Sequence, residues 1–239
     1  MTKRELSYFV NLDKFPIHDI DNLKYKKIVK EAQEALTLDG CYVLESIINM
    51  EAIYEMQKEA SKIENLAHYT TNKVNVYFSK DDSSYPKDHP RRFFMERSNG
   101  FVSGDKFPKN SIIKELYYSK ILKKFIADCL NVTMYHYADP LASLTINVNK
   151  PGDRFSWHYD TNEFTVTMLV QDCDEGGIFQ YVPNIRNKED ECYDEVLKLL
   201  KGDKTRIKEI KLNEGDLQLF KGRYALHRAT RAKGNKTRN

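Results

Sequence analysis

The sequence predicts an α+β chain, with helices first and then a mainly β half that reads as a sandwich or barrel. Three observations carry this. Apolar residues recur at helical spacing in stretches ahead of residue 135. In SLTINVN the period drops to two, with Leu144, Ile146 and Val148 alternating with Ser143, Thr145, Asn147 and Asn149. Further short strands then follow, several divided by Gly-containing turns at Gly176-Gly177, Gly215 and Gly222, which is the pattern of a sandwich or barrel. No repeat, linker or low-complexity tract interrupts the chain. The expectation is one domain over 1–239: a helical buttress with a loop or lid region over 1–135, and a β-rich catalytic core over 136–239.

In order, Met1–Asp21 has no clear period and is expected to be an extended arm. Asn22–Leu38 is a helix with Tyr25, Ile28, Ala32 and Ala35 near one face, stopped by Asp39-Gly40. CYVLESI follows as a short strand. Asn49–Ala67 is a second helix with Ile53, Met56 and Ala60 on one side; both helices are expected to buttress a sheet. Lys73–Phe107 reads as irregular. Its KDDSSYPKDHPRR is rich in turn formers, and Arg97, Asn99 and Gly100 then sit between aromatics, as in a surface loop or a substrate lid. Ser111–Leu130 is a third helix with a loose stripe of Ile112, Leu116, Ile121, Phe125 and Leu130. The strands that follow are Phe164–Gln171, Ile178–Val182, Ile207–Leu212, Leu217–Phe220 and Ala225–Thr230, with a helix inserted at Glu191–Lys201.

Composition excludes several classes. Lys+Arg 38 against Asp+Glu 35 gives +3, with the signs interleaved and no basic stripe; this balance argues neither for nor against nucleic acid, which is not among the expected partners. The N-terminal residues lack the apolar segment of a signal peptide, and no apolar run reaches the roughly 18 residues of a membrane span. Cys41, Cys129, Cys173 and Cys192 form no CxxC pair. A cytoplasmic protein with reduced thiols and no membrane partner is expected.

The chemistry concentrates in His158, Asp160 and His227. Residues two apart on a strand point to one face, so His158 and Asp160 can hold one ion together. His227 arrives far along the chain on another predicted strand. Two histidines and a carboxylate with open positions suit a mononuclear Fe(II) site. Zinc and two ordinary hydrogen-bonded histidines are the alternatives. A dicarboxylate cosubstrate would need a cation near the metal, and Arg238 follows His227 at a fitting interval, able to pair a carboxylate through two parallel bonds.

These residues resemble the Fe(II)/2-oxoglutarate-dependent dioxygenase superfamily, whose pattern of HxD, distant His and later Arg is matched by His158, Asp160, His227 and Arg238. The segment NxPGDxxxWHYD with FTVTMLVQ, EGGIFQYVPNIR and LFKGRYALHR is similar to the branch of free amino-acid hydroxylases and radical halogenases, including free-lysine halogenases. The resemblance runs from about Asp139 to Arg238. It implies a double-stranded β-helix (a jelly roll) with the N-terminal helices packed outside, and it implies Fe(II), 2-oxoglutarate and O₂ as cofactors and a free amino acid as the small-molecule substrate. Three departures stand out. Asn149 occupies the place where many relatives carry a Tyr that bonds 2-oxoglutarate, with Asn147 on the same strand face. The halogenases of this branch lack the carboxylate ligand and so leave room for chloride, whereas Asp160 is present, which implies hydroxylation. Relatives continue past the Arg with a last core strand, whereas this sequence ends at Asn239: either the barrel closes differently or the sequence stops short of that strand.

A zwitterionic amino acid needs a cation for its carboxylate and acceptors for its ammonium. Arg97 is the expected cation with Asn99 beside it, and Asp139, Asn162 and Glu163 are possible acceptors. Trp157 is expected to pack behind the metal strand, and Arg186 to serve a structural ion pair. Two other classes remain open from the residues alone: a metal-binding jelly roll that senses a ligand without oxidising it, and a zinc-type hydrolase.

Overall fold

The computed structural model describes residues 4–239. Its helices are α1 (Leu6–Phe9), α2 (Leu23–Leu38), α3 (Met50–Ile63), α4 (Ile112–Tyr117), α5 (Lys120–Leu130) and α6 (Tyr193–Leu200). Its strands are β1 (Cys41–Leu44), β2 (His68–Val74), β3 (Met95–Val102), β4 (Ile146–Val148), β5 (Phe155–His158), β6 (Thr165–Met168), β7 (Phe179–Val182), β8 (Lys208–Ile210), β9 (Leu217–Phe220) and β10 (Leu226–Ala229). All strand pairs within the sheets are antiparallel. No helix among the described residues is long and apolar enough to cross a membrane, and the four cysteines are unpaired.

The strands form three hydrogen-bonded groups, β1-β9-β6, β5-β10-β7-β8 and β2-β3-β4. The chain end joins the first and third. Arg238 and Asn149 exchange both backbone bonds at 2.9 Å, and Asn239 pairs in the same way with Gln171, which extends the line of β6. Residues 238–239 thus occupy the lane between β4 and β6. The order across this larger sheet becomes β2-β3-β4-tail-β6-β9-β1. The four-stranded sheet lies against it, with the Phe220 ring of β9 touching Phe179 and Tyr181 of β7 at 5.0 and 5.7 Å.

The outer face of the larger sheet carries the helices. Val148, Leu217 and Leu219 share one buried cluster with Ile28, Ala32 and Leu36 of α2, Ile53 and Met56 of α3, and Phe125 of α5. Each such side chain contributes about 1.5–3 kcal/mol on burial. Asn22 caps α2 by accepting from the Lys24 amide, and the buried face takes Leu36 in place of the expected Ala35.

Three local expectations are corrected. The N-terminal stretch is not an extended arm: Phe9, Val10, Phe15 and Ile17 are buried in the main cluster, and Val10 bridges Ile48. Residues 1–3 lie outside the described residues. The single helix expected over Ser111–Leu130 is two, because the Ser119 side chain accepts from the Leu122 amide and starts α5 afresh. Two helices with separate phases account for the loose stripe. Most consequentially, the irregular region of 73–107 holds β3, which pairs with β2 from Met95 to Phe101.

Candidate metal centre

β5 and β10 place the two histidines opposite each other, His158 directly across from His227. Their ring centroids are 4.2 Å apart. The pairing slips between this pair and Phe155–Ala229, a bulge that bends β5 next to the site. β5 ends at His158, so Asp160 is held beyond the strand by its amide bond to the Gly222 carbonyl at 3.0 Å. The expected common strand face is therefore replaced by a loop anchored across to β9–β10, yet the three side chains still converge.

Asp160 Oδ1 lies 3.7 Å from His158 Nε2 and 3.5 Å from His227 Nε2. The ligand atoms of all three lie within 4.8 Å of one another. Both Nδ1 atoms face carbonyl oxygens, Ser156 at 2.7 Å and Ala225 at 2.9 Å. A carbonyl can only accept, so each Nδ1 donates and each Nε2 is turned toward Asp160. Burial, and then the neighbouring His227, push His158 from its ordinary value down to about 3, which keeps it neutral. Burial alone would raise Asp160, but His227, His158 and the Thr165 hydroxyl together outweigh it and hold the carboxyl at about 2. Two inward-turned imidazoles and a carboxylate converging on one point are the donor set of a mononuclear Fe(II) centre.

Asp160 is tightly seated. The Thr165 hydroxyl donates to its Oδ2. A Cβ on Gly222 would stand 2.0 Å from that same oxygen, so only glycine fits there.

Along the inner wall, Arg97 and Asn99 of β3 share one strand face. The Arg97 guanidinium lies 5.0 Å from the Phe78 ring centroid and 4.8 Å from that of Phe155. Both rings in turn border His158, at 5.5 and 5.8 Å. Arg97 Nε is buried with no hydrogen-bond partner; burial lowers its pKa and Asp160 partly restores it. Asn99 and Asn149 are buried, each with an unpartnered Oδ1. Arg238 lies in the tail lane with Nε 3.4 Å from Asp172 Oδ1. Burial lowers its pKa, and it lies so close to Gly177 that a Cβ there would meet its Cδ at 2.6 Å.

Comparison with known proteins then decides the lineage. The sequence profile described as "HalD: Halogenase D" matches residues 24–239. The chain belongs to the HalD family. No curated protein matches it. Among solved structures, this HalD-family protein is similar to an oxidoreductase of the 2OG-Fe(II) oxygenase family from Burkholderia pseudomallei, at 11% identity and TM-score 0.53, covering 88% of this chain and 86% of that one. A prolyl hydroxylase from Trichoplax adhaerens, solved with a peptide fragment of hypoxia inducible factor, gives 14% identity and TM-score 0.53, covering 90% and 87%. The epimerase SnoN, solved with Fe3+, alpha ketoglutarate and nogalamycin RO, gives 11% and 0.56, covering 89% and 81%. At these identities the likeness establishes the fold: this HalD-family chain has the fold of the 2-oxoglutarate/Fe(II) oxygenases, and His158, Asp160 and His227 are a group in it that could hold a metal ion.

Not every residue expected at the site of this HalD-family protein lies there. Asn147 shares the face of Asn149 but is exposed, paired with the exposed Phe101 at the far end of the wall. Asp139 is exposed, and its carboxylate accepts from the Leu141 amide in a turn. Asn162 and Glu163 are exposed in the loop between Asp160 and β6. Arg186 bonds Glu191 at 2.9 Å and the Arg223 carbonyl at 2.7 Å. Trp157 packs outside with Val182 and Leu226, under Arg228. Thr165, Gly222, Phe78 and Phe155 were not foreseen. For Gly222 a signal existed, since it falls in the turn just before His227; for Thr165 and Phe78 the sequence holds none.

Proposed function

We propose that this protein is an Fe(II)- and 2-oxoglutarate-dependent oxygenase that hydroxylates an unactivated C–H bond of a small polar substrate, a free amino acid. The observation that carries the reading is Asp160. It is present, ionised and aimed with both imidazoles at one point. A halogenating relative would use that position for halide, so within this family the retained carboxylate favours hydroxylation. The chain is read as one domain built on a double-stranded β-helix, consistent with two opposed antiparallel sheets and with the tail lane between β4 and β6.

The residues present fit the groups that this reading implies. His158, Asp160 and His227 would hold Fe(II). Bound there with 2-oxoglutarate and O₂, it would supply C–H oxidation coupled to formation of succinate and CO₂. Arg238 would take the distal carboxylate of 2-oxoglutarate, since its guanidinium is buried and its Nε stands 3.4 Å from Asp172 without a hydrogen bond. Asn149 would add an amide N–H, because its side chain can turn its NH₂ to the orphaned position without change of shape. Arg97 would hold the substrate carboxylate: it is cationic, unpaired and clamped between Phe78 and Phe155 beside the metal ligands. Asn99 Oδ1 would accept from the substrate ammonium.

The test is to incubate the protein with Fe(II), 2-oxoglutarate, chloride and a panel of free amino acids. The reading expects succinate and a product heavier by one oxygen. A chlorinated product, or tightly held zinc with no 2-oxoglutarate uptake, would overturn it.

A further inference from the structure

The two oxygens of Asp160 have different surroundings. Oδ1 faces both imidazoles, at 3.5 and 3.7 Å. Oδ2 accepts the Thr165 hydroxyl and is pressed against Gly222, where a single added carbon would stand 2.0 Å away. The register of β6 on β9 sets this up: Thr165 pairs with Phe220, and two residues further the turn delivers Gly222 to the far side of the carboxylate.

We infer that Thr165 is a positioning residue that keeps Asp160 a one-oxygen ligand, a proposal that rests on the oxygenase reading above. An octahedral ion with three protein ligands keeps about three open positions. A cosubstrate that binds through two oxygens, together with O₂, needs all of them. Carboxylates bind metals through one oxygen or two, and a second oxygen from Asp160 would remove one position. A buried carboxylate oxygen deprived of its donor is costly to leave unsatisfied. A bound metal ion, which Oδ1 already faces, is one group able to compensate it. The Thr165 hydroxyl satisfies Oδ2 and removes that incentive. Its counterpart on the other side is Gly222, whose missing side chain gives Oδ2 the space to lie away from the ion.

The experiment uses the full chain loaded with Mn(II), whose bound waters are counted by solvent-proton relaxation, with and without 2-oxoglutarate. The wild-type protein is expected to carry about three waters, falling to about one when 2-oxoglutarate binds. Thr165→Val, which keeps the shape and loses the hydroxyl, is expected to carry about one fewer at each stage, so that its 2-oxoglutarate complex has none. Thr165→Ser should restore the wild-type count. If Thr165→Val does not give the wild-type circular dichroism spectrum, Thr165→Ala is read in its place. Equal water counts in wild type and the hydroxyl-free variant overturn the role of Thr165. If 2-oxoglutarate displaces no water from the wild-type protein, it is the oxygenase reading that falls.

Discussion

Replacing Gly222 by alanine tests the seat of Asp160 directly. The added carbon would stand 2.0 Å from Oδ2, 2.6 Å from Cγ and 2.8 Å from Cβ of Asp160. Ordinary contacts begin near 3.5 Å, so the carboxylate must move by more than an ångström. Gly222 is not among the glycines with positive φ, so alanine strains nothing else in the backbone. The movement breaks the bond from Thr165, a hydrogen bond to a charged acceptor worth about 1.5–3 kcal/mol. It also turns Oδ1 away from the two Nε2 atoms. The bond alone corresponds to about 10–100-fold in metal affinity, the range known for groups that orient metal ligands. The assay is titration of metal-free protein with Fe(II) or Mn(II) under argon, with thermal unfolding as a check that the fold survives. Gly222→Ala within about threefold of wild type would refute the argument that this glycine exists to admit the carboxylate.

Arg238→Lys keeps the charge but loses the planar fork, so 2-oxoglutarate affinity should fall at least about tenfold while metal affinity holds; calorimetric titration checks both. Arg97→Met should raise the substrate KM by about tenfold or more and leave substrate-free 2-oxoglutarate binding unchanged, with a stability loss of only about 1 kcal/mol from the lost ring stacking. Metal-free protein should lose stability as pH falls below about 6.5, since an unfolded histidine takes up a proton there and His158 does not until about 3. The depressed Asp160 extends the loss below the usual carboxylate range, and a urea midpoint that stays flat from pH 7 to 5 would contradict this. Phe125→Ala, at a fully buried position under α2, should cost about 3–5 kcal/mol by urea unfolding.

The cluster of His158, Asp160 and His227 was legible because its chemistry is rare in sequence: few residue types bind iron, and two of the three lie in one tripeptide. The period-two stretch, the short strands and the amphipathic helices were legible because each pattern is set by the residue's own neighbours. Tyr25, Ile28 and Ala32 are all buried, as their spacing required. What failed were readings that depend on distant partners. Asp139, Asn162 and Glu163 were chosen for closeness in sequence to the metal motif. Sequence proximity to Asp160 left Asn162 and Glu163 on an exposed loop, because the chain leaves the site at once to begin β6.

β3 shows why the rest was hidden. MERSNGFV has polar residues on the face that turns inward, Arg97 and Asn99, and a glycine on the other, so it carries none of the apolar alternation that marks a strand. It is held by β2 on one side and β4 on the other, from stretches that are respectively close and far in the chain. Tyr69 of β2 covers the bare backbone at Gly100, within 3.0 Å of where a Cβ would be. A strand that lines a binding site must present polar groups to the ligand, and this requirement erases the signal by which strands are found. The same polarity that made 73–107 look like a loop is therefore itself evidence of function once the pairing is known. Unpartnered donors and acceptors at Arg97, Asn99 and Asn149 are expensive in a wall with no ligand. With the proposed zwitterion and dicarboxylate against them they would become favourable, so ligand binding should stabilise this wall more than any other part of the fold. Hydrogen exchange of the β3 and β4 amides with and without 2-oxoglutarate and substrate would reveal it, and equal protection in both states would count against the wall's assigned role.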